Sequence, residues 1–185
     1  MFALALLIAA AAPAPSGLSD WLAGEHLTTG WGGARTRLAD RGLTVELAYS
    51  IEVFVNPAAP GGAPNTTLLQ HLDAALTLET AKLGLWPGGK FYLLGQHNAG
   101  TGVNEVVGSS TEISNLEARP TQLTEFFYEH ALFDERVRLR VGKQDANREF
   151  GTPRYGGNFL NNNFGMFPTS PLPSYPTTGL GAVLV

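Results

Sequence analysis

Cysteine is absent from the 185 residues, which excludes a disulfide scaffold, thiolate metal ligation and a cysteine nucleophile. Charge is also scarce. Asp, Glu, Lys and Arg make up 15% of the chain, against a typical ~25%. A formal charge of −4, from 12 Lys+Arg and 16 Asp+Glu, leaves no basic stripe to neutralise phosphates, so nucleic acid is not an expected partner. No apolar run reaches the ~20 residues that a helix needs to cross a bilayer. His26, His71, His97 and His130 lack metal-ligand spacing. Val107-Gly108-Ser109-Ser110 lacks the nucleophile-elbow pattern, and no glycine-rich phosphate loop opens a helix. Neither metal, cofactor nor enzymatic activity is expected. With 44% hydrophobic residues, disorder is excluded too.

Turn formers are plentiful: 22 Gly and 12 Pro. The chain starts with MFALALLIAAAA, an apolar stretch of signal-peptide length with small residues at Ala9 and Ala11, so residues 1–11 read as an export signal. No Lys or Arg precedes that stretch, so the true start is expected upstream. Residues 12–42 read as a periplasmic segment. Within it Trp31, Ala34 and Leu38 share one helical face, and Gly42 sits where a left-handed C-cap belongs.

From Leu43 the hydrophobic period becomes two. Leu43, Val45, Leu47, Tyr49, Ile51, Val53 and Val55 share one face, and Thr44, Glu46, Ala48, Ser50, Glu52 and Phe54 the other. Residues 43–55 are long beside the ~5–6 of a soluble strand, and suit a tilted membrane strand. Similar alternation predicts strands at about 71–81, 90–98, 121–132, 136–146 and 179–185. In the fifth, Arg136, Arg138 and Arg140 alternate with Val137, Leu139 and Val141. The predicted connections alternate between tight turns at Trp86–Gly89 and Asp134–Glu135 and long stretches at 57–69, 99–120 and 151–178. Transmembrane barrels show this asymmetry between their two rims. The expected fold is all-β: an antiparallel transmembrane β-barrel, preceded by a short N-terminal helix, of which residues 43–185 supply about six strands.

Several spaced motifs, in order, resemble the carbohydrate-selective outer-membrane porins of the OprB type. They are Trp31-Gly32-Gly33-x-Arg35-x-x-Leu38-x-x-x-Gly42, Trp86-Pro87-Gly88-Gly89, Ser114-Asn115-Leu116-Glu117-Ala118 and Leu123-x-Glu125-x-x-Tyr128-Glu129. Val141-Gly142-Lys143-x-Asp145, Asn158-Phe159-Leu160-Asn161, Phe164-Gly165, Pro168 and Tyr175-Pro176 complete the series. The family's Asp after Val-Gly in the second long loop is here Ser109. The resemblance implies a sixteen-stranded barrel passing sugars across the outer membrane of a Gram-negative cell. The chain is then the N-terminal portion of a longer porin, because six strands cannot close a membrane barrel. Homotrimer and monomer both remain open.

A channel wall replaces part of a solute's hydration with carboxylates, amides and Arg forks, and covers the C–H face of a sugar with an aromatic ring. The inferred inner face offers Glu46, Glu52, Asp73, Glu79, Tyr92, Gln96, Glu125, Phe127, Glu129, Arg138 and Arg140 as pore-lining candidates for binding small, neutral, glucose-like sugars. Outer-membrane lipid is expected on the other face. Arg35, Asn115 and Arg119 are candidates for a constriction. Three alternatives stand beside this reading: a secreted carbohydrate-binding β-sandwich, a general or anion-preferring porin, and a hydrolase using Glu125 and Glu129. The last is disfavoured because i and i+4 on one strand lie about 13 Å apart at ~3.3 Å per residue.

Overall fold

The computed structural model of the chain describes residues 24, 26, 28–57, 65–102, 104–108, 113–114, 116, 121–151, 155 and 172–185. The expected signal at 1–11 and the constriction candidates Asn115 and Arg119 lie outside these residues. The strands are β1 (Leu43–Asn56), β2 (Asn65–Glu79), β3 (Gly89–Gly100), β4 (Thr121–Leu132), β5 (Val137–Gln144) and β6 (Gly179–Leu184). They form one sheet in chain order, each antiparallel to the next. Helix α1 (Ala34–Asp40), entered through a 3-10 turn at Trp31–Gly33, precedes β1; α2 (Asn104–Val107) and α3 (Asn147–Phe150) are single turns in the connections.

The two faces of this sheet reverse the usual order of burial. On β1, Leu47, Tyr49, Ile51, Val53 and Val55 are 56–64% exposed. The opposite face of the sheet buries polar groups, among them His71, Gln96, Asn98, Glu125, Glu129, Arg140 and Gln144, with only Leu69, Ala75 and Phe127 as buried apolar wall residues. A β-sandwich would cover the apolar face with a second sheet. Here that face is bare among the described residues. In hydrocarbon the arrangement is sound: apolar side chains meet lipid, and the ladders satisfy the backbone groups between strands.

The structure corrects several expected boundaries. Strand β2 begins at Asn65, not near 71, because Thr67 and Leu69 continue the inward-facing series as buried residues. The β2–β3 connection is not a tight turn at Trp86–Gly89. Strand β2 ends at Glu79 and the chain turns over 80–88 around Thr80, which is fully buried. The Thr80 hydroxyl and N–H donate to the Gly89 carbonyl at 2.9 and 3.0 Å, and Leu85 N–H donates back to Thr80 O at 3.0 Å. Strand β5 ends at Gln144, and Arg136 lies in the turn before it, so two arginines rather than three alternate along the strand. Phe133, Asp134 and Glu135 in that turn all have positive φ, the twist that suits a tight hairpin. Its register aligns Glu129 with Arg140, as a turn centred on Asp134–Glu135 predicts.

One irregularity matters for the inner wall. The β3–β4 register steps from Leu94↔Glu125 to Gly95↔Leu123, so Thr124 is the extra residue of a β-bulge. Thr124 and Glu125 both turn inward as a result, at 2% and 1% exposure.

Gly142 on β5 lies tight against the β4 backbone at Phe126 and Phe127. Its φ is +144°, and a Cβ there would lie 2.3 Å from the Phe126 carbonyl oxygen. Backbone must move to admit a methyl group. Gly142→Ala is expected to destabilise the full-length protein by about 1–3 kcal/mol, whereas Gly30→Ala, with open space around it, changes little. Urea unfolding in lipid vesicles reads this, and equal midpoints for the two variants would contradict it.

Candidate functional site

Inward-facing residues of β3, β4 and β5 are brought level by register. Lys90 faces Glu129, which faces Arg140; one step along, Tyr92 faces Phe127, which faces Gly142. The first row alternates in charge, a cross-strand arrangement that stabilises register. Lys90 Nζ lies 2.9 Å from Glu129 Oε1, while Arg140 donates to Glu129 Oε2 through Nε at 2.9 Å and Nη2 at 2.6 Å. Arg138 Nη1 stands 3.7 Å from the same oxygen. The second row is aromatic: the Tyr92 and Phe127 ring centroids are 5.0 Å apart, and the Arg140 guanidinium lies 4.7 Å from the Phe127 centroid.

Helix α3 completes the cluster. It follows β5 directly and turns Arg148 and Glu149 back over the wall. Glu149 accepts from Arg140 at 2.8 Å and from Arg138 at 3.4 Å. Arg148 is paired with Glu125 and lies 5.1 Å from the Tyr92 centroid and 5.9 Å from that of Phe127. Burial alone would lower the pKa of Arg148, but the Glu125 carboxylate outweighs it and raises the value. Glu125 also accepts the Asp145 N–H at 2.9 Å. Burial pushes the Asp145 carboxyl above its ordinary range, against the opposing N–H donors of Asn147 and Tyr175.

Exposure separates most of the charges by sign. The carboxylates and Arg140 are buried, with side-chain exposure of 2% for Glu125, 7% for Glu129, 15% for Glu149 and 6% for Arg140, while Arg138, Arg148 and Lys90 are 36–42% exposed. The water-facing surface of the cluster is therefore rich in N–H donors, although its charges nearly balance.

Other candidates fall elsewhere. Asp73 and Gln96 join a second inner network: Asp73 Oδ1 accepts from His71 Nε2 at 2.8 Å and from Gln96 Nε2 at 2.7 Å. His71 Nδ1 meets Asn98 Oδ1, and the Thr124 hydroxyl donates to Gln96 Oε1. Glu52 on β1 accepts the hydroxyl of buried Ser114, which in turn accepts the Leu116 N–H at 3.0 Å. Part of the β3–β4 connection is thus seated against the inner wall. Glu79 pairs locally with Lys82 at 2.9 Å. Glu46 is exposed and lines a pocket between α1 and β1 with His26, Trp31 and Arg35. Arg35 itself lies 4.5 Å from the Trp31 ring and reaches Val45 O at 3.4 Å, apart from the wall cluster. Sequence reasoning missed Lys90, Arg148, Glu149, His71, Asn98, Ser114 and Thr124. A signal existed for Lys90, His71 and Asn98, inward positions by period; Arg148, Glu149, Ser114 and Thr124 depend on a helical turn, a loop or a bulge.

The model of the carbohydrate-selective porin, OprB family, matches residues 65–185. No curated protein matches the chain. Among solved structures, the high-pH structure of OprB from Pseudomonas putida superposes with a TM-score of 0.76 at 19% identity, covering 87% of this chain and 41% of that one. The low-pH structure of the same protein gives 0.51 at 21% identity, over 74% and 41%. The chain thus spans about two fifths of the length of the OprB structures it resembles, and at these identities the likeness shows the fold: an open six-stranded sheet that matches part of a β-barrel. Since the family model matches more than half of its residues, the chain belongs to the carbohydrate-selective porin, OprB, family.

Proposed function

We propose that the chain forms part of the wall of an outer-membrane channel, sixteen-stranded when complete, that conducts neutral sugars by passive diffusion. The observation that carries this reading is the cluster of water-facing guanidinium and ammonium groups, held in place by buried carboxylates beside two aromatic rings. Arg138 and Arg148 offer N–H forks to hydroxyl oxygens, and Tyr92 with Phe127 provides an apolar surface for C–H bonds. Because Glu125, Glu129 and Glu149 nearly neutralise the cations, the wall can bind hydroxyls without strongly favouring anions. The seating of Ser114 against Glu52 supports a loop that narrows the lumen. The bare apolar face supports outer-membrane lipid as the surrounding medium. The family is one of porins, and Glu125 and Glu129 are each engaged with cations rather than with one another.

Cations more exposed than their partners favour one second reading, an anion-preferring pore. Liposome swelling with the full-length protein separates the two. The sugar reading expects faster swelling with glucose than with a similarly sized zwitterionic amino acid or with gluconate, and loss of that preference in Arg138→Ala and in Arg138→Ala/Arg140→Ala. Preference for gluconate in the wild type would establish the second reading, and no preference at all would exclude both.

The pair of exposed Arg148 with buried Glu125 gives a stability prediction. Arg148→Ala leaves the buried Glu125 carboxylate with one N–H donor among the described residues, and is expected to cost about 1–3 kcal/mol, the range for leaving a buried acceptor under-satisfied. Lys82→Ala removes only the exposed pair with Glu79 and is expected to cost ~0–1 kcal/mol. Urea unfolding of the two full-length variants in vesicles measures both; similar losses would contradict the assignment.

A further inference from the structure

We propose that Asp73 is a fixed hydroxyl acceptor on the sugar path, a subsite separate from the cation cluster, with His71 and Gln96 as its positioning residues. This rests on the sugar-channel reading and adds what that reading lacks. A sugar hydroxyl both donates and accepts, yet the cluster on β3–β5 turns donors to the water and keeps its carboxylates behind them. An acceptor must come from elsewhere on the wall.

Asp73 meets that need by geometry. Both of its hydrogen bonds arrive at one oxygen, Oδ1, from His71 Nε2 at 2.8 Å and Gln96 Nε2 at 2.7 Å. Among the described residues none bonds Oδ2. The supports are themselves held: Thr124 donates to Gln96 Oε1, which turns the amide N–H₂ toward Asp73, and Asn98 engages the far side of His71. His71, Gln96, Asn98 and Thr124 are all buried, at 2–9% exposure, whereas the Asp73 side chain is 34% exposed. Across the sheet its register partner on β1 is Ala48, too short to cover the carboxylate. The free oxygen therefore faces the inner side at fixed orientation, and little order need be gained when a ligand arrives.

Location makes it a separate station. Asp73 faces Gln96, and Gln96 is four residues from Tyr92 along β3, roughly 13 Å at ~3.3 Å per residue. A monosaccharide leaving one station must move to reach the other. Several weak sites in series are what conduction requires.

The test uses full-length protein and isothermal titration with glucose and its monodeoxy analogues. The wild type is expected to bind at least one deoxyglucose about tenfold more weakly than glucose, the worth of one hydrogen bond to a charged group. In Asp73→Asn that gap is expected to close, with glucose itself weakened about tenfold. His71→Leu, which removes a support, should narrow the same gap, and His71→Gln, which restores an N–H donor, should recover it; a purely structural loss would weaken glucose and its analogue alike. A wild type that neither binds glucose nor passes it in swelling assays overturns the channel reading and this subsite together. Normal glucose binding in the wild type with an unchanged deoxy gap in Asp73→Asn overturns the subsite alone. So does a variant that keeps full glucose affinity while its reversal potential moves toward anions, which would make Asp73 a charge filter.

Discussion

On the channel-wall reading, two penalties govern this molecule. A Lys or Arg against hydrocarbon costs ~2–4 kcal/mol at the bilayer midplane, and each unpaired backbone group there costs several more. A sheet escapes both only if every strand is paired and every charge lies on the same side. The register of β1 to β5 comes close to the second condition: Glu46, Glu52, His71, Asp73, Lys90, Glu125, Glu129, Arg138 and Arg140 fall on one face, while Lys143, near the end of β5, lies on the other with its ammonium donating to the Leu123 carbonyl. A slip of one residue in any pair from β1 to β5 would send a charged row to the apolar face. The ion pairs are thus less the cause of the architecture than its by-product, because charges expelled from one side are concentrated on the other.

Concentration then creates its own problem, which the sheet solves by sorting. Buried charges without partners are costly, so carboxylates and cations interleave across strands. Arg138, Arg148 and Lys90 reach water while the carboxylates and Arg140 remain behind them. Arg and Lys stems can lie along the wall with their heads solvated. Asp73 departs from this pattern, as a short carboxylate whose supports are neutral at the amide and hydroxyl positions and whose neighbour across the sheet is alanine. The inner surface therefore carries two chemical characters, one donating and one accepting.

Where one face is uniformly apolar, the strands are legible in the residues alone. The run Leu43–Val55 and the Val-Arg alternation of 137–140 need no context, and with the turn at Asp134–Glu135 they align Glu129 and Arg140. Elsewhere local chemistry misleads. Asn65-Thr66-Thr67 has the composition of a loop, yet it begins β2; its adjacent Leu68 and Leu69 face opposite media, one exposed and one buried. Trp86-Pro87-Gly88-Gly89 reads as a complete turn, although the turn is organised from Thr80 by backbone bonds invisible in composition. Arg148 and Glu149 could not be placed beforehand because alternation ends at Gln144 and a single helical turn carries no period. Arg35 shows the opposite failure: its motif is distinctive, but its side chain serves the junction of α1 with β1.

The bulge at Thr124 has a consequence for how such a wall can change length. Insertion or deletion of one residue within a regular strand inverts every position on one side of the change, carrying lipid-facing leucines into water and charges into lipid. Thr124 is the exception in β4. Without it Leu123 would precede Glu125 directly, the ladder Gly95↔Leu123 and Leu94↔Glu125 would run on unbroken, and each remaining side chain would keep its medium. The strand thus contains one position at which heredity can add or remove a residue without turning the wall inside out.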